Sequence, residues 1–379
     1  MTEKLYYNDA YISEFSASVI SSSPVGDKFI TVLDKTAFFP EEGGQSADTG
    51  YIGEARVISA TERDGVIYHE TDRAVPTGEA FCRLDFDKRF EKMQCHTAEH
   101  ILCGVIHNRF GYDNVGFHLG DEIVTFDISE PLSETELSEV EWEANRAVFD
   151  NLPVRAYFPE SEKLKSLSYR AKLDLTEGVR IVEIGDIDSC ACCAPHVRYT
   201  GEIGLIKIID FMKHRGGMRI FMVAGRRALT DYRLTLENLK KISAALSVPR
   251  LEGAEGFSAY VRESERREYL LKTRAASLAE ALAESLPYTE GNLVRYIPGI
   301  GIEELRAFVN AAEGKVSGIL ASLVGKEGDY KYIITSKKEN LSARAKEINS
   351  ALGGRGGGKP EAIQGSFSAS LSEIEEYFK

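Results

Sequence analysis

The sequence predicts a mixed α+β protein. It divides into an N-terminal small β-barrel (1–90), a central α+β region (91–227), a helical hairpin (228–290) and a C-terminal Gly-rich α/β region (291–379). Three observations predict this class. Short β-branched runs separated by turn-formers fill the first ninety or so residues. Helical and strand patterns then alternate with connections suited to antiparallel strands. Two long, charged helical patterns finally lead into a glycine cluster, Gly353-Gly354-Arg355-Gly356-Gly357-Gly358.

In the first part, Phe15–Ile20, Lys28–Asp34, Tyr51–Ile58 and Gly65–His69 read as strands. Between them lies Phe38-Phe39-Pro40-Glu41-Glu42-Gly43-Gly44-Gln45. Adjacent glycines let backbone approach a ligand closely, or simply make a hairpin turn; both readings stand. Around Asp85 the period changes. An amphipathic helix of about fifteen to twenty residues is expected, with Met93, Ile101, Leu102 and Val105 on its apolar face. Glu122–Ile128, Val154–Phe158, Val179–Ile184, Leu205–Ile209 and Met218–Ala224 are further strands. A helix capped by Ser133 and a short one over Ser161–Leu167 lie among them. Lys331–Thr335 is a strand and Ser342–Leu352 a helix. The glycine cluster, with Arg355 and Lys359, reads as a flexible, positive loop suited to phosphate. It is not a P-loop, because the Gly-Lys-[Ser/Thr] ending is missing.

The chemistry centres on Cys95–Ile101. His96 and His100 stand four apart on a helix, so one face offers two imidazoles to one metal. Cys192 and His196 repeat the four-residue step far downstream. Together they make a tetrahedral Zn2+ set that the fold must assemble. Glu99 is not the protease-type base: it precedes His100 instead of following His96, and one residue turns the helix by about 100°. It reads as a solvated side chain or a partner of a ligand. Cys190 and Cys193 add two thiols beside Cys192.

With 379 residues and a net charge of −13, diffuse adhesion to nucleic acid or anionic membrane is disfavoured. Lys213, Arg215, Arg219, Arg226 and Arg227 reverse the sign locally, with no acid between them. They are either a solvated strand edge or a phosphate-contacting strip. The absence of a long apolar run gives no membrane span, and the N-terminus has no signal pattern, so a cytoplasmic protein is expected.

These motifs resemble the editing domain of alanyl-tRNA synthetase and its free-standing AlaX-type relatives. Phe38 to Gln45 matches the aromatic–Gly–Gly–Gln motif, His96-Thr97-Ala98-Glu99-His100 the H-T-A-x-H motif, and Cys192 to His196 the C-x-x-x-H motif. Thr200-Gly201-Glu202-Ile203-Gly204 matches the T-G-E-I-G that follows. The Gly-rich end resembles the C-terminal domain of the synthetase and of long AlaX forms. Cys193-Ala194-Pro195 departs from the usual glycine-rich middle of the ligand loop. The resemblance implies hydrolysis of serine, and of glycine, from mischarged alanine tRNA, by an editor acting in trans with Zn2+. It makes Thr36 a candidate reader of the serine hydroxyl, Gln45 a polar wall beside Gly43 and Gly44, and His118 a further substrate contact. It also implies that tRNA is gripped by the 213–227 strip and by Arg355 and Lys359, with a homodimer through the hairpin and C-terminal region. A zinc hydrolase of another ester or peptide, and a non-catalytic tRNA-binding protein with structural zinc, are the rivals.

Overall fold

The computed structural model describes residues 1–171 and 178–379, in two compact units, Met1–Asn238 and Leu239–Lys379. The first opens with β1 (Glu3–Lys4) and a single turn, α1 (Leu5–Asn8). A closed barrel follows, built from β2 (Glu14–Val25), β3 (Lys28–Leu33), β5 (Gly50–Ile52), β6 (Ala55–Arg63), β7 (Val66–Thr71) and β8 (Gly78–Leu84). Its strand order is β2-β3-β7-β6-β5-β8, and β8 pairs back onto β2. The two-residue β4 (Lys35–Thr36) leaves the barrel to pair with β1. Alternation sends Ala17, Val19, Leu33, Ile52, Val57 and Leu84 inward around Phe38. The single strand expected over Tyr51–Ile58 is two, β5 and β6. Gly53, at φ +59°, turns the chain back on itself between them.

Helix α2 (Phe86–Phe110) has 25 residues, longer than the pattern suggested. Nor is it amphipathic: every residue from Lys92 to Ile106 is buried. Layers on several sides explain this. A four-stranded sheet of order β14-β15-β10-β9 packs on it, formed by β9 (Asn114–Leu119), β10 (Val124–Ile128), β14 (Ile206–His214) and β15 (Gly217–Ala224). Strand β9 was not expected. Helix α3 (Glu134–Phe149) adds Leu137, Val140 and Ala144 to the same core, and Ser133 caps it in a reciprocal box with Glu136. The short α4 (Ser161–Leu164) follows the first strand of a three-stranded sheet made of β11 (Val154–Tyr157), β12 (Ile181–Ile184) and β13 (Asp188–Ala191). Helix α5 (Gly225–Leu246) runs out of this unit.

In the second unit, α6 (Gly253–Glu284) has 32 residues, of which only Gly253, Ala279 and Ala283 are buried. A five-stranded sheet of order β16-β17-β18-β20-β19 follows. Its strands are β16 (Leu293–Tyr296), β17 (Ile319–Lys326), β18 (Asp329–Ser336), β19 (Arg355–Lys359) and β20 (Ala362–Phe367). The end of α6 and α7 (Ile302–Ala311) cover one face through Ala283, Leu305 and Phe308. Helices α8 (Leu341–Ala351) and α9 (Leu371–Tyr377) cover the other through Ile348 and Ile374. The glycine cluster is therefore not a loop. Gly356 to Gly358 lie in edge strand β19, and Gly356 faces Gly365 of β20. The Tyr332 hydroxyl lies 2.5 Å from where a Cβ on Gly356 would stand, so only glycine lets this hairpin lie flat there.

Candidate metal centre

Helix α2 and the turn after β13 build the site. His96 and His100 lie one turn apart on α2, with ring centroids 5.3 Å apart. The His196 ring is 4.9 Å from His96 and 4.7 Å from His100. Cys192 Sγ is 3.3 Å from His196 Nε2 and 3.6 Å from His96 Nε2. One ligand atom from each of the four lies within 4.8 Å of every other. The four residues predicted from spacing alone are thus together, and none is exposed.

Each imidazole has its own partner for the far nitrogen. His96 Nδ1 meets Gln45 Oε1 at 2.9 Å, His100 Nδ1 meets Asp188 Oδ2 at 2.8 Å, and His196 Nδ1 meets Thr97 Oγ1 at 3.1 Å. Because the Thr97 hydroxyl donates to Met93 O at 2.8 Å, it accepts from His196. All three Nδ1 atoms are thereby donors, and all three Nε2 lone pairs are left for one centre. That is the outer arrangement metal-bound histidines use.

Asp188 reaches His100 because Gly104 lets it. A Cβ at Gly104 would collide with Ile187 O and stand 2.9 Å from the Asp188 side chain. The other carboxylate oxygen of Asp188 accepts from Arg170 Nε at 2.7 Å. Neither Asp188 nor Gly104, nor Thr97 as an acceptor, was read as functional from sequence. The signal for Thr97 was its place between two ligands; those for Asp188 and Gly104 are contacts made only on folding.

Burial alone would push the Cys192 thiol up. The neighbouring His96, His196 and His100 rings outweigh it and hold the thiol well below the ordinary cysteine value. Burial takes His196 down to about 3 against the pull of Cys192. Burial also works to lower His100, but Cys190, Asp188 and Cys192 together raise it well above the ordinary histidine value. A thiolate and neutral imidazoles are the forms that metals bind, so the donor set fits a zinc ion and loading would release a proton. Cys190 forms a second grouping with His100 and Asp188. Cys193 packs against Gly43, with its sulfur 3.6 Å from where a Cβ would be.

The loop from Ala37 to Asp48 closes one side. Gly44 lies so close to Phe117 O that a Cβ would be 2.5 Å from it, and Leu119 N donates to Gly44 O at 2.8 Å. Gln45 is fully buried, and its Nε2 has no hydrogen-bond partner. Thr36 is also fully buried. Its hydroxyl is 2.9 Å from His69 Nε2 and accepts from Phe38 N at 3.1 Å, inside the barrel. Phe117, not His118, lies beside His96, with ring centroids 4.6 Å apart and the planes tilted by 34°. His118 is exposed, on the opposite face of β9. Glu99 is not solvated: it is buried and accepts from Asn114 Nδ2 and from Cys103 Sγ.

The basic strip breaks up in space. Arg219 makes a two-pronged pair with Asp127, at 2.7 and 2.9 Å. Arg226 lies 3.3 Å from Asp87, and Arg227 donates to Gly120 O at 2.8 Å and sits 3.8 Å from Glu91. Lys213 and Arg215 are exposed at the β14–β15 turn. Arg355 and Lys359 are exposed at the two ends of β19.

A family model described as the threonyl and alanyl tRNA synthetase second additional domain matches residues 179–220, the stretch holding Cys192 and His196. The alanyl-tRNA editing protein AlaX-L of Pyrococcus horikoshii is 28% identical over 99% of this chain and 96% of its own length. The chain is similar to AlaX-L over nearly its whole length. The likeness to AlaX-L takes in both halves of the quartet, the barrel and the second unit. The alanine--tRNA ligase of Pyrococcus abyssi is 32% identical over 96% of this chain, but the match takes up 42% of that ligase. The chain therefore spans less than half the length of the ligases it matches. The crystal structure of the C-Ala domain from Aquifex aeolicus alanyl-tRNA synthetase matches 24% of this chain and 86% of that domain, at 23% identity and a TM-score of 0.20. Among the described residues no helix is long and apolar enough to cross a membrane.

Proposed function

We propose that this protein is an aminoacyl-tRNA deacylase that clears serine, and glycine, from mischarged alanine tRNA, with zinc held by His96, His100, Cys192 and His196. The observation that carries the proposal is the trio of Nδ1 partners, Gln45, Asp188 and Thr97, which leaves three Nε2 atoms for a centre shared with the Cys192 sulfur. The names of the relatives supply the reaction class.

Such an activity answers a physical need. A pocket shaped for alanine rejects glycine or serine by only about 1–3 kcal/mol, so a second, hydrolytic site must correct the error. When bound, zinc supplies a Lewis acid to polarise the ester or a bound water, or a fixed structural centre if all four protein donors stay on. The chain's own residues do the rest. Gln45, whose Oε1 is taken by His96, turns only a donor, Nε2, toward a substrate oxygen. The buried Gln45 and, beside His96, Phe117 limit the access of bulk water to the quartet. Thr36 retains the proposed reading of the serine hydroxyl, in competition with His69 for its proton. The exposed Lys213, Arg215, Arg355 and Lys359 hold the tRNA phosphates. A second copy covers the apolar residues that α6 leaves in solvent, among them Phe257, Tyr260, Leu271 and Leu278.

The deciding experiment measures zinc content and serine release from mischarged alanine tRNA in one preparation. About one zinc per chain with rapid release is expected. Zinc without release would favour the non-catalytic tRNA-binding reading.

A further inference from the structure

Three residues on one face of α2 grip the loop that carries Gln45. Arg89, Lys92 and His96 follow one another at steps of three and four, so they line one side of the helix. Arg89 pairs with Asp48 and donates to Ala37 O at 2.6 Å, fixing the two ends of the loop. His96 holds the Gln45 carboxamide. Between them, Lys92 Nζ donates to Ser46 O at 3.1 Å and to Ala47 O at 2.7 Å, the two carbonyls just after Gln45.

Lys92 is a costly residue for this place. It is 7% exposed, and both hydrogen bonds of its ammonium are to neutral carbonyls. Burial pulls its pKa down, partly offset by Asp48. A merely space-filling role would suit methionine or leucine without the loss of hydration. What the charge adds is directional. Two successive carbonyls are tied to one point, so the backbone leaving Gln45 has little freedom. That matters because a single hydrogen bond to His96 is worth less than the rotamer freedom a glutamine surrenders. The carboxamide stays on His96 only if its backbone is already fixed.

We propose that Lys92 is a positioning residue for the metal centre: by tying down Ser46 O and Ala47 O it keeps Gln45 Oε1 on His96 and aims Gln45 Nε2 at the substrate. This rests on the metal reading above and adds a residue that acts only through Gln45. It predicts that Lys92 and Gln45 are energetically one element.

The test is zinc affinity, measured by chelator competition on the full chain. Wild type, Lys92→Met, Gln45→Ala and the double variant are compared. Removing an outer partner of a metal-bound histidine lowers affinity about 10- to 100-fold. Each single variant is expected to show a loss in that range, and the double variant no more than Gln45→Ala alone. Lys92→Arg, which can still reach both carbonyls, should restore most of the affinity. Losses that multiply in the double variant, or wild-type affinity in Lys92→Met, overturn the proposal. Should Lys92→Met fail to fold by its thermal melt, Lys92→Gln, which keeps one donor, takes its place in the same comparison. A wild type that takes up no zinc sinks the metal reading itself, and that is seen before any variant is compared.

Discussion

The Nδ1–H of His100 points at Oδ2 of Asp188, 2.8 Å away, and both side chains are almost wholly buried. Asp188 in turn accepts from Arg170. The carboxylate sits between a cation and a histidine, which keeps it ionised: burial works to raise its pKa, but His100 and Arg170 lower it below the usual carboxylate range. Replacing it as Asp188→Asn keeps the shape but removes the charge. Zinc affinity should fall about 10- to 100-fold, read by chelator competition. Unchanged affinity would show that His100 is not a ligand through Nε2.

Three thiols crowd the ligand loop, and the structure separates them. Cys192 alone contacts the histidine ring nitrogens of His96 and His196. Cys192→Ser should abolish stoichiometric zinc, while Cys193→Ser should keep it. Metal analysis after gel filtration distinguishes the two. Retained zinc in Cys192→Ser would move the ligand to Cys190.

His69 should make the barrel sensitive to acid. It is buried, its Nδ1–H donates to Thr31 O at 3.1 Å, and burial lowers its pKa to about 4. The unfolded chain titrates near 6.5, so below that pH the unfolded state binds a proton the folded state refuses. This contribution to stability is complete above pH 6.5 and is lost as pH falls through about 4, at a cost of about 3 kcal/mol. Urea unfolding between pH 7 and 4 measures it. His69→Gln should flatten that slope; an equal slope would place the acid sensitivity elsewhere.

Thr36→Val removes the proton donor to His69 and the acceptor of Phe38 N–H. A loss of about 1–3 kcal/mol of stability is expected. The same variant checks substrate reading: discrimination between seryl and alanyl esters should drop. A stability loss with unaltered discrimination would confine Thr36 to the barrel.

Arg355 and Lys359 stand at opposite ends of an edge strand, and both are exposed. Substituting both with alanine should weaken binding of alanine tRNA evenly across sequences and reduce the salt slope by about one per charge. Filter binding over a range of KCl measures this. Arg219→Ala should act differently, since its partner Asp127 is left behind; thermal melting should register that change first.

Much of the site was legible because helical spacing is local. Two histidines four apart on a helix, and a thiolate and histidine with the same step, announce themselves in a single strand of text. What could not be read was anything set by distant packing. Gln45 meets His96 across 51 positions, Asp188 meets His100 across 88, and Thr97 meets His196 across 99. The acidic partners of the basic strip were hidden for the same reason: Asp87, Glu91 and Asp127 are remote in sequence but adjacent in space. The glycine cluster misled by composition. Glycine usually signals a loop, but here the closeness of β20 and of the Tyr332 hydroxyl selects it within a strand. Phe117 went unremarked because alternation along an unrecognised strand, β9, could not be counted.

Helix α2 is buried almost all round between the barrel loop and the four-stranded sheet. No seam therefore runs near residue 90 along which the chain could be divided. A fragment beginning there would carry His96 and His100 on a helix stripped of half its cover. The barrel is thus no detachable accessory: it is the missing wall of the room in which the metal would sit.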